Sequence, residues 1–154
     1  MDGEFYMTLK DKRHALMAKY EPPWEQIEYP LSNFSSATTT VRATISGNTI
    51  QIKTTSAGKY KSANGAFSTQ AGYEYRVVCD IAVSDGIGRI ASRNSSDTIR
   101  GFDTGSYTVG GHIDIVFQHN AEISKIGLFC TFGTSEDGDV TYTGFTLYRR
   151  PKNG

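Results

Sequence analysis

Tyr73-Glu74-Tyr75-Arg76-Val77-Val78-Cys79-Asp80-Ile81-Ala82-Val83-Ser84 is the stretch on which the fold turns. Tyr73, Tyr75, Val77, Cys79, Ile81 and Val83 share one side of an extended chain, while Glu74, Arg76 and Asp80 share the other. That period of two is the signature of a strand with one dry face. Further runs with strand character surround it: Thr40–Ile45, Thr49–Thr54, Gly88–Arg93, Thr98–Phe102, His112–Gln118, Lys125–Phe132 and Val140–Tyr148.

Within these runs Ile113, Ile115 and Phe117 alternate with His112, Asp114 and Gln118, and Ile126, Leu128, Cys130 and Phe132 alternate with Gly127 and Thr131. Val140 and Tyr142 fall out of phase with Phe145 and Leu147, so Gly144 marks a bulge that resets the pleat. Gly47-Asn48 and Asp137-Gly138 are tight-turn signals. Eight strands separated by turns predict an all-β fold, a jelly-roll β-sandwich, over residues 34–154.

Ahead of the sandwich, residues 1–33 form an N-terminal helix and an extended arm. Thr8–Tyr20 reads as a helix with Thr8 as N-cap and Leu9, Leu16 and Tyr20 along one stripe, stopped by Pro22 and Pro23. The following segment carries Trp24, Ile27, Tyr29 and Leu31 between prolines. It either folds back over a sheet edge of its own domain or docks onto another subunit. Residues 55–72 are the longest weakly patterned stretch and are expected to be a loop.

Composition narrows the function classes. In 154 residues, 16 Lys plus Arg balance 16 Asp plus Glu, so no field of one sign gathers nucleic acid or anionic lipid. The absence of a long apolar run argues against a membrane partner. Cys79 and Cys130 lie far apart with no CxxC and fall on inward faces as small hydrophobes, which favours free thiols.

Gly86-Ile87-Gly88-Arg89-Ile90-Ala91 follows a strand but precedes no helix, so it reads as a strand-connecting turn rather than a dinucleotide site. His112 and His119, an odd number of residues apart, fall on opposite faces and are poor partners for one metal. No nucleophile elbow occurs, and neither a cofactor nor a catalytic residue is expected. The nine Tyr, eight Phe and one Trp carry the richer signal, because flat apolar rings with polar handles suit sugar rings and protein interfaces alike. Tyr60, Phe67 and Tyr107 fall in or near loops.

Ala71-Gly72-Tyr73-Glu74-Tyr75, Thr104-Gly105-Ser106-Tyr107-Thr108 and the closing Val140–Tyr148 run together resemble the carbohydrate-binding-module type of jelly-roll sandwich. The resemblance covers about residues 38–150. It implies either glycan binding through aromatics on a concave face or rim loops, or reuse as a non-catalytic module in bacteriophage virion proteins such as tail fibres and head decorations. The single Trp24 lies outside the sandwich, a departure from the sugar-binding pattern, and the helix and arm look more like the fastening segment of a virion component.

The leading expectation is therefore a non-enzymatic virion attachment protein, assembled in the host cytoplasm. Leu16, Tyr20, Trp24, Ile27 and Tyr29 would anchor it to capsid or tail subunits or to further copies of itself. The alternative is a module recognising surface polysaccharide through Tyr60, Phe67 and Tyr107.

Overall fold

A computed structural model describes residues 21–36, 39–55, 61–132 and 137–152. Eleven strands are found among them: β1 Glu25–Ile27, β2 Ser35–Ser36, β3 Val41–Ser46, β4 Thr49–Thr54, β5 Lys61–Ala66, β6 Tyr73–Asp85, β7 Arg89–Arg93, β8 Ile99–Asp103, β9 Gly110–Gln118, β10 Lys125–Thr131 and β11 Gly138–Pro151. They form two antiparallel sheets, one ordered β3-β4-β11-β6-β9 and the other β2-β5-β10-β7-β8. β11 is long enough to pair β4 through its first half and β1 through its second, where Ile27 faces Leu147. The chain crosses between sheets at nearly every connection, which makes a β-sandwich, as the turn spacing predicts.

The core lies where the alternation puts it. Tyr75, Val77, Cys79 and Ile81 of β6 are buried, as are Ile113 and Phe117 of β9 and Ile126, Leu128 and Cys130 of β10. On β11, Val140 and Tyr142 are buried before the bulge, and Phe145 and Leu147 after it. The register slips between Thr143 and Thr146, and Gly144 takes a φ of +68°, a left-handed conformation that a side chain would strain. Both cysteines are buried free thiols, and burial pushes them up to about 12 for Cys79 and about 11 for Cys130.

Tyr142 ties the two sheets together. Its ring is fully buried, and its hydroxyl crosses the core to accept from the Arg89 backbone N–H at 3.0 Å. The same hydroxyl lies within hydrogen-bond reach of the carbonyl of Phe129. A buried phenol is tolerated only with such partners, and here they sit on the backbones of β7 and β10.

Three sequence expectations need correction. Lys61–Ala66, expected as loop, is a strand between β2 and β10. Its Ser-Ala-Asn-Gly-Ala run shows no apolar alternation because the inner face must stay small. A Cβ at Gly65 would collide with the Tyr29 hydroxyl and crowd the Phe34 ring at 3.3 Å. Second, β1 and β2 bring the strand count above eight, since short edge strands carry too few residues for a period. Third, Phe132 does not join the core. The register of β10 against β5 shifts between Phe129 and Thr131, and Phe132 ends edge-on to Phe129 and beneath Arg89. The helix expected over Thr8–Tyr20 lies outside the described residues.

Candidate functional site

The outer face of the second sheet is built around an arginine that lies flat. Arg93, at the end of β7, is 5% exposed although it points away from the core. Its guanidinium carbon sits 4.8 Å from the centre of the Phe129 ring, and its side chain reaches across β10 to β5, where Nη2 donates to Asn64 and to Ser62 Oγ at 3.3 Å. Passage over β10 is open because residue 127 is glycine. A Cβ there would stand 3.0 Å from both Arg93 Nη2 and Asn64 Oδ1 and 3.1 Å from the Phe129 ring.

Beside this arginine opens a pocket of about 520 Å³ lined by Arg93, Asp97, Thr98, Ile99, Phe129 and Phe132. Two phenyl rings supply apolar surface, and Arg93 and Asp97 supply polar groups of both kinds, the make-up of a small-ligand site. Arg93 Nη1 pairs with Asp97 Oδ1 at 3.4 Å, and Lys125 pairs with the same carboxylate oxygen. Arg93 Nε has no hydrogen-bond partner among the described residues. A buried donor left unmet costs free energy, so this face is chemically incomplete. Burial pushes the Arg93 guanidinium down from its ordinary value, with Asp97 opposing it. The Lys125 ammonium holds the Asp97 carboxyl below the usual carboxylate range.

Asp97 adopts a φ of +64°, the one positive value on a non-glycine residue among those described. The turn that holds it is tied by Asn94, whose side chain accepts from the Ser96 and Thr98 backbone N–H groups at 2.9 and 3.0 Å. At the far side of the sheet Arg89 makes a two-pronged pair with Asp103, Nε to Oδ1 at 2.7 Å, and covers the Phe132 ring at 3.8 Å. Burial pushes Asp103 up, but hydrogen bonds from Arg89 and the Gly105 N–H outweigh it and leave the carboxyl below the usual range.

The outer face of the first sheet is different in kind. Arg76 grips Asp114 through Nε and Nη2 at 2.7 and 2.6 Å, and Arg150 donates to Glu74 at 2.6 Å. Glu74 also accepts from Gln118 at 3.2 Å, and Glu21 stands 3.5 Å from Arg150. The Arg150 hydrogen bond lowers Glu74, and the Arg76 hydrogen bond lowers Asp114. Trp24 lies on this lattice with Arg150 4.1 Å and Arg76 5.9 Å from its ring centre, and Tyr148 flanks Arg76 at 5.7 Å.

The residues singled out by the sequence go elsewhere. Ile27 and Tyr29 find their dry surroundings in their own sandwich. Tyr29 meets the rings of Phe34, Phe67 and Phe145 within 6.0 Å and donates to the Ala66 carbonyl at 2.8 Å. Burial pushes the Tyr29 phenol up to about 12. Phe67, expected as a rim aromatic, is a core residue stacked edge-on to Tyr75 and Phe117, so it offers no platform to a sugar. Tyr107 is half-buried: its backbone bridges to Gly88, and its ring fills the space that a side chain on Gly111 would occupy. Leu16, Tyr20 and Tyr60 lie outside the described residues.

Ile27 and Phe67 meet at a second opening of about 610 Å³ at the sandwich edge. Two of its polar side chains are engaged: Thr69 Oγ1 bonds His119 Nδ1 at 2.9 Å, and the Tyr75 hydroxyl accepts from the Gln70 N–H at 2.7 Å. No group of three metal-ligating side chains occurs among the described residues. Phe129 and Arg93 were not singled out from the sequence. The available signal was a large ring out of phase in β10 and an arginine in a strand whose neighbours are buried.

The sandwich is similar to solved structures of known type. One is a family 29 carbohydrate-binding module, a mutant made to probe ligand recognition, with 11% identity and a TM-score of 0.54, covering 87% of this chain and 89% of that one. The fold is that of carbohydrate-binding modules. Another mutant of that module, in complex with mannohexaose, gives 12% identity and a TM-score of 0.55 over 87% of this chain and 96% of its own. A family 4 module gives 11% identity and a TM-score of 0.51 over 71% and 78%. No protein-family model matches the sequence, and neither does any curated protein.

Proposed function

We propose that this chain is a non-catalytic carbohydrate-binding module that holds a glycan against the outer face of its second sheet. The observation that carries the reading is Arg93: a charged side chain laid flat, 5% exposed, lining a pocket with two phenyl rings and keeping an unmet Nε–H. Sugars present ring C–H groups that pack on aromatic faces and hydroxyls that both donate and accept. Phe132 fits the first need and Arg93 and Asp97 the second, with Ser62 and Asn64 holding Arg93 in place. The sandwich likeness, which includes a module solved with mannohexaose, supports the same reading.

The attachment role expected from the arm has no comparable support. Ile27 and Tyr29, which it assigned to a capsid or tail partner, pack on their own domain, and Trp24 lies under two arginines of the first sheet.

Affinity electrophoresis of the full chain against a panel of neutral and acidic polysaccharides tests the proposal. At least one polysaccharide should retard the protein, and Arg93→Ala and Asn64→Ala should each weaken that retardation at least ~10-fold, about 1.4 kcal/mol. Asn64→Ala removes one neutral side chain and keeps the measurement interpretable should Arg93→Ala fold poorly. Retardation by no member of the panel, or retardation untouched by both variants, overturns it.

A further inference from the structure

Resting on that reading, we infer that the glycan is acidic and that a carboxylate of a hexuronate sugar is the group recognised beside Arg93. Arg93 and Lys125 both pair with Asp97 Oδ1, so two cations share one anion at the pocket wall. Arg89, the other cation of this face, is fully matched by the two-pronged bond to Asp103. Among the described residues the face therefore keeps one positive charge without a counter-charge.

The neutral partners do not supply it. Arg93 Nη2 is met by Ser62 and Asn64, which are hydrogen-bond acceptors without charge, and Nε is met by nothing among the described residues. On the opposite sheet Arg76 is matched by Asp114, and Arg150 by Glu74 with Glu21 nearby.

A charge-bearing ligand gains from this more than a neutral one. Arg93 is withdrawn from water, where an ion pair is screened less than at the surface, and a guanidinium N–H to carboxylate bond is stronger than one to a hydroxyl. Lys125 adds charge behind the pocket wall through its pair with Asp97. Its side chain is 23% exposed, and its ammonium has three donors, of which Asp97 takes one. A uronate in the pocket meets the Arg93 edge, with Lys125 behind the shared Asp97 carboxylate and the sugar ring against Phe132. A hexose lacking the carboxylate keeps the stacking and the hydroxyl contacts but leaves the charge unmatched.

The test is isothermal titration of the full chain with oligogalacturonate, oligomannuronate and a hyaluronan fragment, set against mannohexaose and cellohexaose of similar length. At least one acidic oligosaccharide should bind ~10-fold or more tightly than either neutral one. That advantage should shrink as salt rises from 0.05 to 0.5 M, values set for the experiment, because screening acts on the charge and not on the stacking. Lys125→Gln, on a partly exposed side chain, should erase most of the preference for the acidic oligosaccharide. Equal or tighter binding of a neutral hexaose overturns the acidic assignment and leaves the glycan site standing. Binding of none of the five, repeated on the wider polysaccharide panel, overturns both. A preference that Lys125→Gln does not move also overturns the inference, because the charge would then be read elsewhere.

Discussion

The two outer faces of this sandwich are made from the same kinds of residue and end in opposite states. On the first sheet, Arg76 and Arg150 each meet a carboxylate on a neighbouring strand, and the pairs stay in contact with water. Such pairs contribute little to stability, and they also leave nothing unsatisfied. On the second sheet, Arg93 lies down across a glycine, is sealed against a phenyl ring, and shares its one carboxylate with a lysine. The difference comes from what lies under each arginine. Gly127 opens a path along the second sheet, whereas on the first sheet Arg76 and Arg150 lie against Trp24. Satisfied polar groups make a surface; a buried and under-paired one makes a site.

Tyr142→Phe should cut deepest into this contrast. Its hydroxyl joins the first sheet to the backbones of Arg89 and Phe129, whose side chains form the floor and wall of the second face. Losing it leaves a buried N–H and a buried carbonyl unmet, a cost of about 1–3 kcal/mol. Urea denaturation should show that loss, together with weaker glycan binding. An equally stable variant would mean that the cross-core bond does not position the face.

Gly127→Ala sharpens the comparison with a smaller perturbation. The added methyl pushes against Arg93 and Asn64 together, so glycan affinity should fall several-fold. Stability should change by less than ~1 kcal/mol, because alanine costs the unfolded strand less entropy than glycine. Affinity and denaturation midpoints measured on the same preparation separate the two effects, and unaltered affinity would refute a flat Arg93 as the binding element.

Acid should affect both faces, with the smallest effect of the three. Asp97 and Asp103 on the second face and Glu74 and Asp114 on the first all have folded values below the ordinary carboxylate range. A carboxylate depressed by folding adds stability above its unfolded value, and that contribution is lost as pH falls through the folded one. Thermal midpoints should therefore be flat near neutrality and decline as pH drops below the usual carboxylate range. A midpoint that rises on acidification would contradict these pairings.

The core was legible from sequence because burial on one face writes a period of two, and Val77, Cys79, Ile81, Ile113 and Leu128 all sit where it puts them. Gly144 was legible too, since two phases in one run require a reset. β5 was not, because Ala63 and Gly65 are small for the sake of Tyr29 and Phe34, and a strand of small residues has no contrast to read. The candidate site was illegible for a related reason. Phe129 hides in a nearly continuous apolar run, and nothing local reveals that Arg93, two strands away in sequence terms, covers it. Phe67 and Tyr29 misled because a ring between turn residues reads alike whether it faces water or folds inward.

The most direct test is to record backbone amide spectra of the labelled protein while adding the tightest-binding oligosaccharide from the panel. The account predicts shifts that cluster on the second sheet, at Ser62, Asn64, Arg93, Asp97 and Gly127, with the amides of Arg76, Asp114 and Tyr148 unmoved. Shifts centred on Trp24, Arg76 and Tyr148, with the second sheet silent, would contradict it.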